Sequence, residues 1–368
     1  MKIEKILITG DALFLRRHKP LFEEIAGECK ELNYMIGDQR FEIGILNQAV
    51  KILNKLIYLA SPLSANRLQK NTKTFINKSK RIEHKIRKLS DRPDYVLHVF
   101  GMYCPFWEQF DIPYGMLLDY TMSLVKKNWT PWASFVNDQE FKEWIECERL
   151  AYQRSHHLFA MSELVKSSLI TDYGIVSEKI TVVGSFASRH PLYEGEKNFG
   201  SQQILFNGAE FARKGGDIVL AAFPQVKEVL PEAKLVIIGK NAKNPPNGAE
   251  NRGRIASLEA MQQLFLETDL VVAPARCDPF PSFVIEAMNY GVPCIVSGND
   301  GMPEIVDDGI NGLVVDPLTP ELLAERIIGL LDDRAKLNSM STRSRQKVKT
   351  QFNCQAIAKK VMQALSAK

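Results

Sequence analysis

The sequence predicts an α/β protein built from two doubly wound domains of parallel sheet. Three observations lead there. The chain has 368 residues, more than one ordinary core supports, so two domains are the expectation. Short apolar runs alternate with stretches of helical period along the chain. Near the middle, "FASRHPLYEGEKNFGSQQ" (186–203) has no period and is rich in Gly, Ser and charge, as linkers are.

In the first domain, 1–187, the runs "KILITG" (5–10), "YVLHVFG" (95–101), "YGMLLDY" (114–120), "HLFAMS" (157–162) and "ITVVGS" (180–185) read as strands. They are continuously apolar rather than alternating, which marks strands covered by helices on both faces. A linker follows at 188–200. In the second domain, 201–345, "ILFNG" (204–208), "KLVIIG" (234–239), "LVVAPA" (270–275), "PCIVS" (293–297) and "GLVVD" (312–316) repeat the rhythm. The final stretch, 346–368, contains the amphipathic "CQAIAKKVMQALSAK" and is expected to be a helix packing back on the first domain.

Composition excludes several classes. With 45% hydrophobic and 24% charged residues the chain is of globular type, and no apolar run reaches the length of about 18 that spans a membrane. The opening "MKIEKILITGD" enters a strand at once, without the apolar core of a secretory leader, so a cytoplasmic location is expected. The six cysteines (Cys29, Cys104, Cys147, Cys277, Cys294, Cys354) form no C-x-x-C pair, which suits a reducing compartment and argues against a zinc site. A net charge of +4 is too small to imply nucleic acid.

In open parallel sheets ligands bind beyond the carboxyl ends of the strands, so motifs just after strands are the informative ones. In "LVVAPARCDPFPSFVIEAMNYG" the strand ends near Ala275. Pro279 and Pro281 delay the helix to Ser282, a candidate N-cap, and Gly291 closes it. A helix N-terminus there offers free N–H groups and a positive dipole end, a cradle for phosphate. Asp278 lies on the approach loop and Glu286 about one turn into the helix, and carboxylates suit sugar diols. From spacing alone, a loop aspartate and a helix-surface glutamate are the simpler reading.

The wider stretch resembles the donor-site signature of the retaining family-four glycosyltransferases of GT-B fold. That pattern is an acidic residue, seven others, Glu, "AM..G.P", a strand, "G.PE" and "G..G.L". Here it reads Asp278, Glu286, "AMNYGVP", "PCIVS", "GMPEIV" and "DGINGLVVDP", about 40 residues in unbroken order. "KITVVGS" and "RKGGDIVLAAF" (213–223) extend the similarity. The resemblance implies two Rossmann-like domains facing a cleft, with a nucleotide-sugar as donor substrate, no cofactor and no metal. Glu286 would hydrogen-bond the ribose, and Asp278 would lie near the hydroxyls of the transferred sugar. The backbone at Ser282, Phe283 and Val284 would hold the diphosphate, with Lys214 contacting it. Two departures stand out. The family usually has Glu where Asp278 stands, and an Arg where this chain has Gly208, for which Arg213, beside Lys214, is the candidate replacement. Read without the resemblance, Arg213 and Lys214 are a solvated helix entry.

Four further features complete the reading. Asp119 ends a strand where the family often has His; it is either an acceptor-side group that positions or deprotonates a hydroxyl, or an N-cap or turn residue. Gly10 follows the first strand, where the family often has a Gly-rich, donor-binding loop. His98 reads as a packed strand-end histidine and Ser162 as an N-cap; "NDQE" (137–140), on a loop, is a poor D-x-D match. The basic segment 66–89 carries Leu68, Phe75, Ile82, Ile86 and Leu89 at helical spacing. It is either a solvated outer helix or a helix lying on an anionic membrane, which would make the protein peripheral to a bilayer. The function implied is a retaining, hexosyltransferase-like transfer of a sugar to a hydroxyl acceptor, glycan or lipid-linked. The rivals are a non-catalytic GT-B module that binds nucleotide or partner, and a sugar-nucleotide epimerase.

Overall fold

The computed structural model describes residues 3–37, 70–187 and 190–366. The chain divides into two compact units, Met1–Val183 with Ala358–Lys368, and Gly184–Ile357.

Unit 1 runs β1 (Lys5–Gly10), α1 (Ala12–Arg17), α2 (Lys19–Ala26), β2 (Glu31–Ile36), α3 (Thr72–Arg87), β3 (Tyr95–Val99), β4 (Tyr114–Leu118), α4 (Met122–Asn128), α5 (Asp138–Arg154), β5 (His157–Ala160), α6 (Glu163–Thr171) and β6 (Ile180–Val182). Its strands pair in parallel in the order β2-β1-β3-β4-β5-β6. The apolar runs are buried as expected: β3 and β4 are buried along their whole lengths. Polar side chains set the helix starts. Asn71, Thr121, Asn137 and Ser162 each accept a backbone N–H of the first turn of the helix that follows. "NDQE" is thus a capped helix start rather than a loop, since Glu140 also reaches back to the N–H of Val136.

Unit 2 runs β7 (Gln203–Asn207), α7 (Gly216–Val229), β8 (Lys234–Ile238), β9 (Ala249–Gly253), α8 (Leu258–Glu267), β10 (Leu270–Ala273), α9 (Ser282–Asn289), β11 (Cys294–Ser297), α10 (Met302–Ile305), β12 (Gly312–Val315), α11 (Pro320–Leu331) and α12 (Arg334–Gln351). The last helix, α13 (Cys354–Ser366), starts in unit 2 and ends in unit 1. The sheet order is β12-β11-β10-β7-β8-β9, again parallel. Its core is aliphatic and aromatic, with Phe206, Phe223, Leu235, Ile237, Val272 and Leu323 buried together. The chain adds strands outward from β7 to β9, then returns to β10 on the other side of β7. The loops leaving β7 and β10 therefore part at a switch point, where such sheets bind ligands.

Three expectations need correction. Two strands, β2 and β9, are absent from the apolar runs. Both are edge strands, and "AENRG" in β9 alternates half-buried and exposed residues because successive side chains point to opposite faces and only one face is covered. The expected terminal helix over 346–368 is two helices, α12 and α13, broken at Phe352–Asn353. In the basic segment, residues 66–69 lie outside the described residues. Phe75, Ile82 and Ile86 of α3 are 0%, 1% and 1% exposed and belong to the core, whereas Leu89, just past the helix, is 38% exposed. Among the described residues, no helix is long and apolar enough to cross a membrane.

Candidate functional site

The loop after β7 brings in the two cations. It turns through residues 208–215 before α7 begins at Gly216, so Arg213 and Lys214 sit in a turn and not on a helix entry. Gly215 ends the turn at φ 75°, and a Cβ there would fall 2.0 Å from the Pro274 carbonyl oxygen. Only glycine allows this loop to pass so close to the loop after β10.

Arg213 is buried, and its contacts show why. Nε and one terminal nitrogen donate to the Glu210 carboxylate at 2.9 and 2.7 Å, and the other donates to the Cys277 carbonyl at 2.5 Å. That nitrogen is also 3.5 Å from the Asp278 carboxylate. Burial works against the Arg213 charge, but hydrogen bonding to Glu210 and the charge of Asp278 outweigh it and raise its pKa. The same two loops are tied by Arg276, whose N–H donates to the Arg213 carbonyl at 2.8 Å while its guanidinium grips Asp217.

Lys214 donates from Nζ to the same Asp278 oxygen at 3.0 Å, and the two side chains are 16% and 14% exposed. Lys214 and Asp278 thus meet at the β7–β10 switch point. The Asp278 N–H donates in turn to Asp300 at 2.7 Å. At Gly208 a Cβ would meet the Lys240 carbonyl at 3.1 Å and the rings of Phe206 and Phe211 at 3.3 Å, so the position is closely enclosed.

Helix α9 starts one turn beyond Asp278. Its N-cap is Pro281, with no side-chain cap, and Ser282 is the first helical residue rather than the expected N-cap. The N–H groups of Ser282 and Phe283 therefore leave the first turn with no acceptor inside the helix. The Val284 N–H is turned back onto the Pro281 carbonyl at 3.1 Å. Glu286 is 8% exposed, which removes the reading of a helix-surface charge. One turn on, Tyr290 donates to or accepts from His190 at 2.8 Å, and burial together with the Glu286 charge raises the Tyr290 pKa.

The structure thus gathers Arg213, Lys214, Asp278, Ser282, Phe283, Val284 and Glu286 in unit 2. Gly10 and Asp119 lie in unit 1. Gly10 ends β1 with φ 158° against Val99. Asp119 follows β4 and is not the N-cap of α4, since Thr121 accepts the Leu124 N–H. Burial lowers Lys70 to about 8 even though the nearby Asp119 charge works to raise it. His98 is buried and bonded to Thr9, a packed histidine. Sequence reasoning missed Glu210, Arg276 and Asp300. For Asp300 a signal existed: "NDG" before a short helix marks a turn that favours a positive φ.

Comparison with known proteins bears on this constellation. Residues 194–347 match the family model described as Glycosyl transferases group 1, and the site residues of unit 2 all fall inside the match. The second unit carries a glycosyl transferases group 1 domain. Among curated relatives, the spore coat protein SA of Bacillus subtilis is 28% identical over 181 residues, 44% of this chain and 48% of that protein. The match thus spans about half the length of that relative. Among solved structures, a sucrose-phosphate synthase from Thermosynechococcus elongatus superposes with TM-score 0.69 at 15% identity, covering 99% of this chain and 98% of that one. The Anabaena HepE protein in complex with UDP-glucose gives TM-score 0.63 at 14% identity, covering 99% and 100%. The two parallel six-stranded sheets with their helices, counted among the described residues, are the GT-B fold.

Proposed function

We propose that the protein is a retaining, hexosyltransferase-like glycosyltransferase that moves a sugar from a nucleotide-diphosphate donor to a hydroxyl of a glycan or lipid-linked acceptor. The observation that carries this reading is the Lys214–Asp278 contact of 3.0 Å at the switch point, just ahead of the α9 N-terminus. In this reading the diphosphate lies on the N–H groups of Ser282 and Phe283 and against Lys214; the expected third donor, Val284, is taken by the Pro281 carbonyl. An ammonium has three N–H bonds, so Lys214 can hold Asp278 and a phosphate oxygen together. Glu286 takes the ribose hydroxyls, and Asp278 the hydroxyls of the sugar. Arg213 belongs to this donor site through the loops it ties. In the transfer the bond from the anomeric carbon to the phosphate oxygen breaks, and its electron pair stays on the diphosphate. The acceptor oxygen bonds to that carbon and gives up its proton, for which Asp119 is the candidate base. Charge grows on the leaving diphosphate, so a cation there stabilises the transition state more than the bound donor. The reading assigns no metal. The HepE complex supports UDP-sugars as the first donors to try.

The test is transfer and hydrolysis across a panel of nucleotide-sugars, with Lys214→Ala beside the wild type. Turnover is expected to fall by about 100-fold or more while donor affinity changes far less, and Lys214→Arg should recover part of it. An unchanged rate in Lys214→Ala would remove Lys214 from the transition state, and no turnover with any donor would leave a nucleotide-binding module.

A further inference from the structure

Asp300 is a non-glycine residue at φ 52°. The left-handed region is costly for a residue with a Cβ and persists where neighbours over-determine it. Here they do. The stretch after β11 is bonded onto the stretch after β10 at four points. Ser297 Oγ and Asn299 Nδ2 donate to the Ala275 carbonyl at 2.6 and 3.1 Å. The Gly301 N–H donates to the Pro279 carbonyl at 3.1 Å. Between them, the Asp300 carboxylate accepts the Asp278 N–H at 2.7 Å. A Cβ on Gly301 would lie 2.5 Å from the Pro279 oxygen, so the two loops are in close register.

A turn alone would be better served by glycine, which takes φ 52° without strain. Aspartate adds one thing, an anionic acceptor on the backbone of Asp278. Asp278 is also held from the opposite loop, by Lys214 at 3.0 Å and Arg213 at 3.5 Å. Its backbone is thus fixed from the β11 side and its carboxylate from the β7 side. We propose that Asp300 is a positioning residue of the donor site, keeping a strained backbone so that its carboxylate holds Asp278 where the transferred sugar must meet it. The proposal rests on the reading of Asp278 as the group facing that sugar.

The test compares wild type, Asp300→Gly and Asp300→Asn by thermal melting, by affinity for UDP, GDP and ADP, and by turnover with the best nucleotide-sugar of the panel. Asp300→Gly loses strain and the carboxylate together. It should melt at or above the wild-type temperature and bind the nucleoside diphosphate within about twofold, because that ligand lacks the sugar. Its kcat/KM with the sugar donor should fall about tenfold, the scale of one lost charge-assisted hydrogen bond. Asp300→Asn keeps an acceptor oxygen and should recover most of the rate. Wild-type turnover in Asp300→Gly overturns the proposal and leaves a turn residue. A joint fall in melting temperature, diphosphate affinity and turnover overturns it in favour of a structural role. No turnover by the wild type itself overturns the glycosyltransferase reading, and this proposal with it.

Discussion

Glu148 is a carboxylic acid buried in unit 1, and burial pushes it up to about 7 although Tyr173, Trp144 and the Met122 N–H all donate to it. A carboxyl held near 7 instead of 4.5 favours the folded state while it is protonated. That contribution is fully present below about 4.5 and is lost as pH rises through about 7, on the order of 3 kcal/mol in all. His18 and His98 tilt the other way. Burial lowers them to about 4 and about 3, so their share of stability is lost as pH falls below the ordinary histidine value. Glu148→Gln copies the protonated acid and has no such titration. Urea unfolding at pH 5 and pH 8, followed by tryptophan fluorescence, should show the wild type losing more stability toward pH 8 than the variant; equal slopes would mean Glu148 is ionised throughout. Residue-level legibility in the sequence was uneven for a physical reason. Asp278, Glu286 and Lys214 stand out through the family resemblance, whose pattern around a strand end and a helix start is linear in the sequence. At Asp300 only the turn is legible, through "NDG"; its bond to a residue 22 positions away is not. Ser282 misled because the proline before it already occupies the cap position.

At the level of elements, the buried strands were plain because central parallel strands are apolar on both faces, whereas β2 and β9 at the edges carry polar residues that break the run. Helix α3 shows the same limit from the other side. Its apolar stripe and its charges are both visible in the sequence, but whether the stripe meets core or lipid is a tertiary fact. With Phe75, Ile82 and Ile86 in the core, α3 presents Lys73, Lys80, Arg81 and His84 outward, as does its C-cap, Lys88. Lys80 is matched by Glu108 at 2.7 Å, and Arg87 by Glu83 and Asp111. We expect the remaining charges to attract an anionic bilayer by electrostatics alone, at about 1 kcal/mol per basic side chain near the surface. The protein should sediment with vesicles containing acidic lipid, leave them in about 0.5 M salt, and lose binding in Arg81→Glu with Lys88→Glu. Equal retention by neutral vesicles would return α3 to an ordinary solvated helix.

For the whole molecule, the division into units is not a division into two segments, since Ala358–Lys368 belongs with Met1–Val183. Val361 and Leu365 are 1% and 2% exposed, and Lys360 Nζ donates to the Val183 carbonyl at 3.4 Å. Burying two such side chains is worth roughly 3–6 kcal/mol. Truncation after residue 357 should therefore destabilise unit 1 more than unit 2. The four tryptophans, Trp107, Trp129, Trp132 and Trp144, all lie in unit 1, so fluorescence reports its unfolding selectively. A truncated protein whose fluorescence transition in urea is unmoved would show that the terminal helix contributes nothing there. The same discontinuity governs the order of events on the ribosome. The first 183 residues emerge early, but the piece that completes their core follows only after Gly184–Ile357 has been made. At about 5–20 residues per second that interval is on the order of ten to thirty seconds. During it, unit 1 waits with part of its apolar surface uncovered while unit 2 is still being made, so nascent-chain holdases should meet unit 1 first.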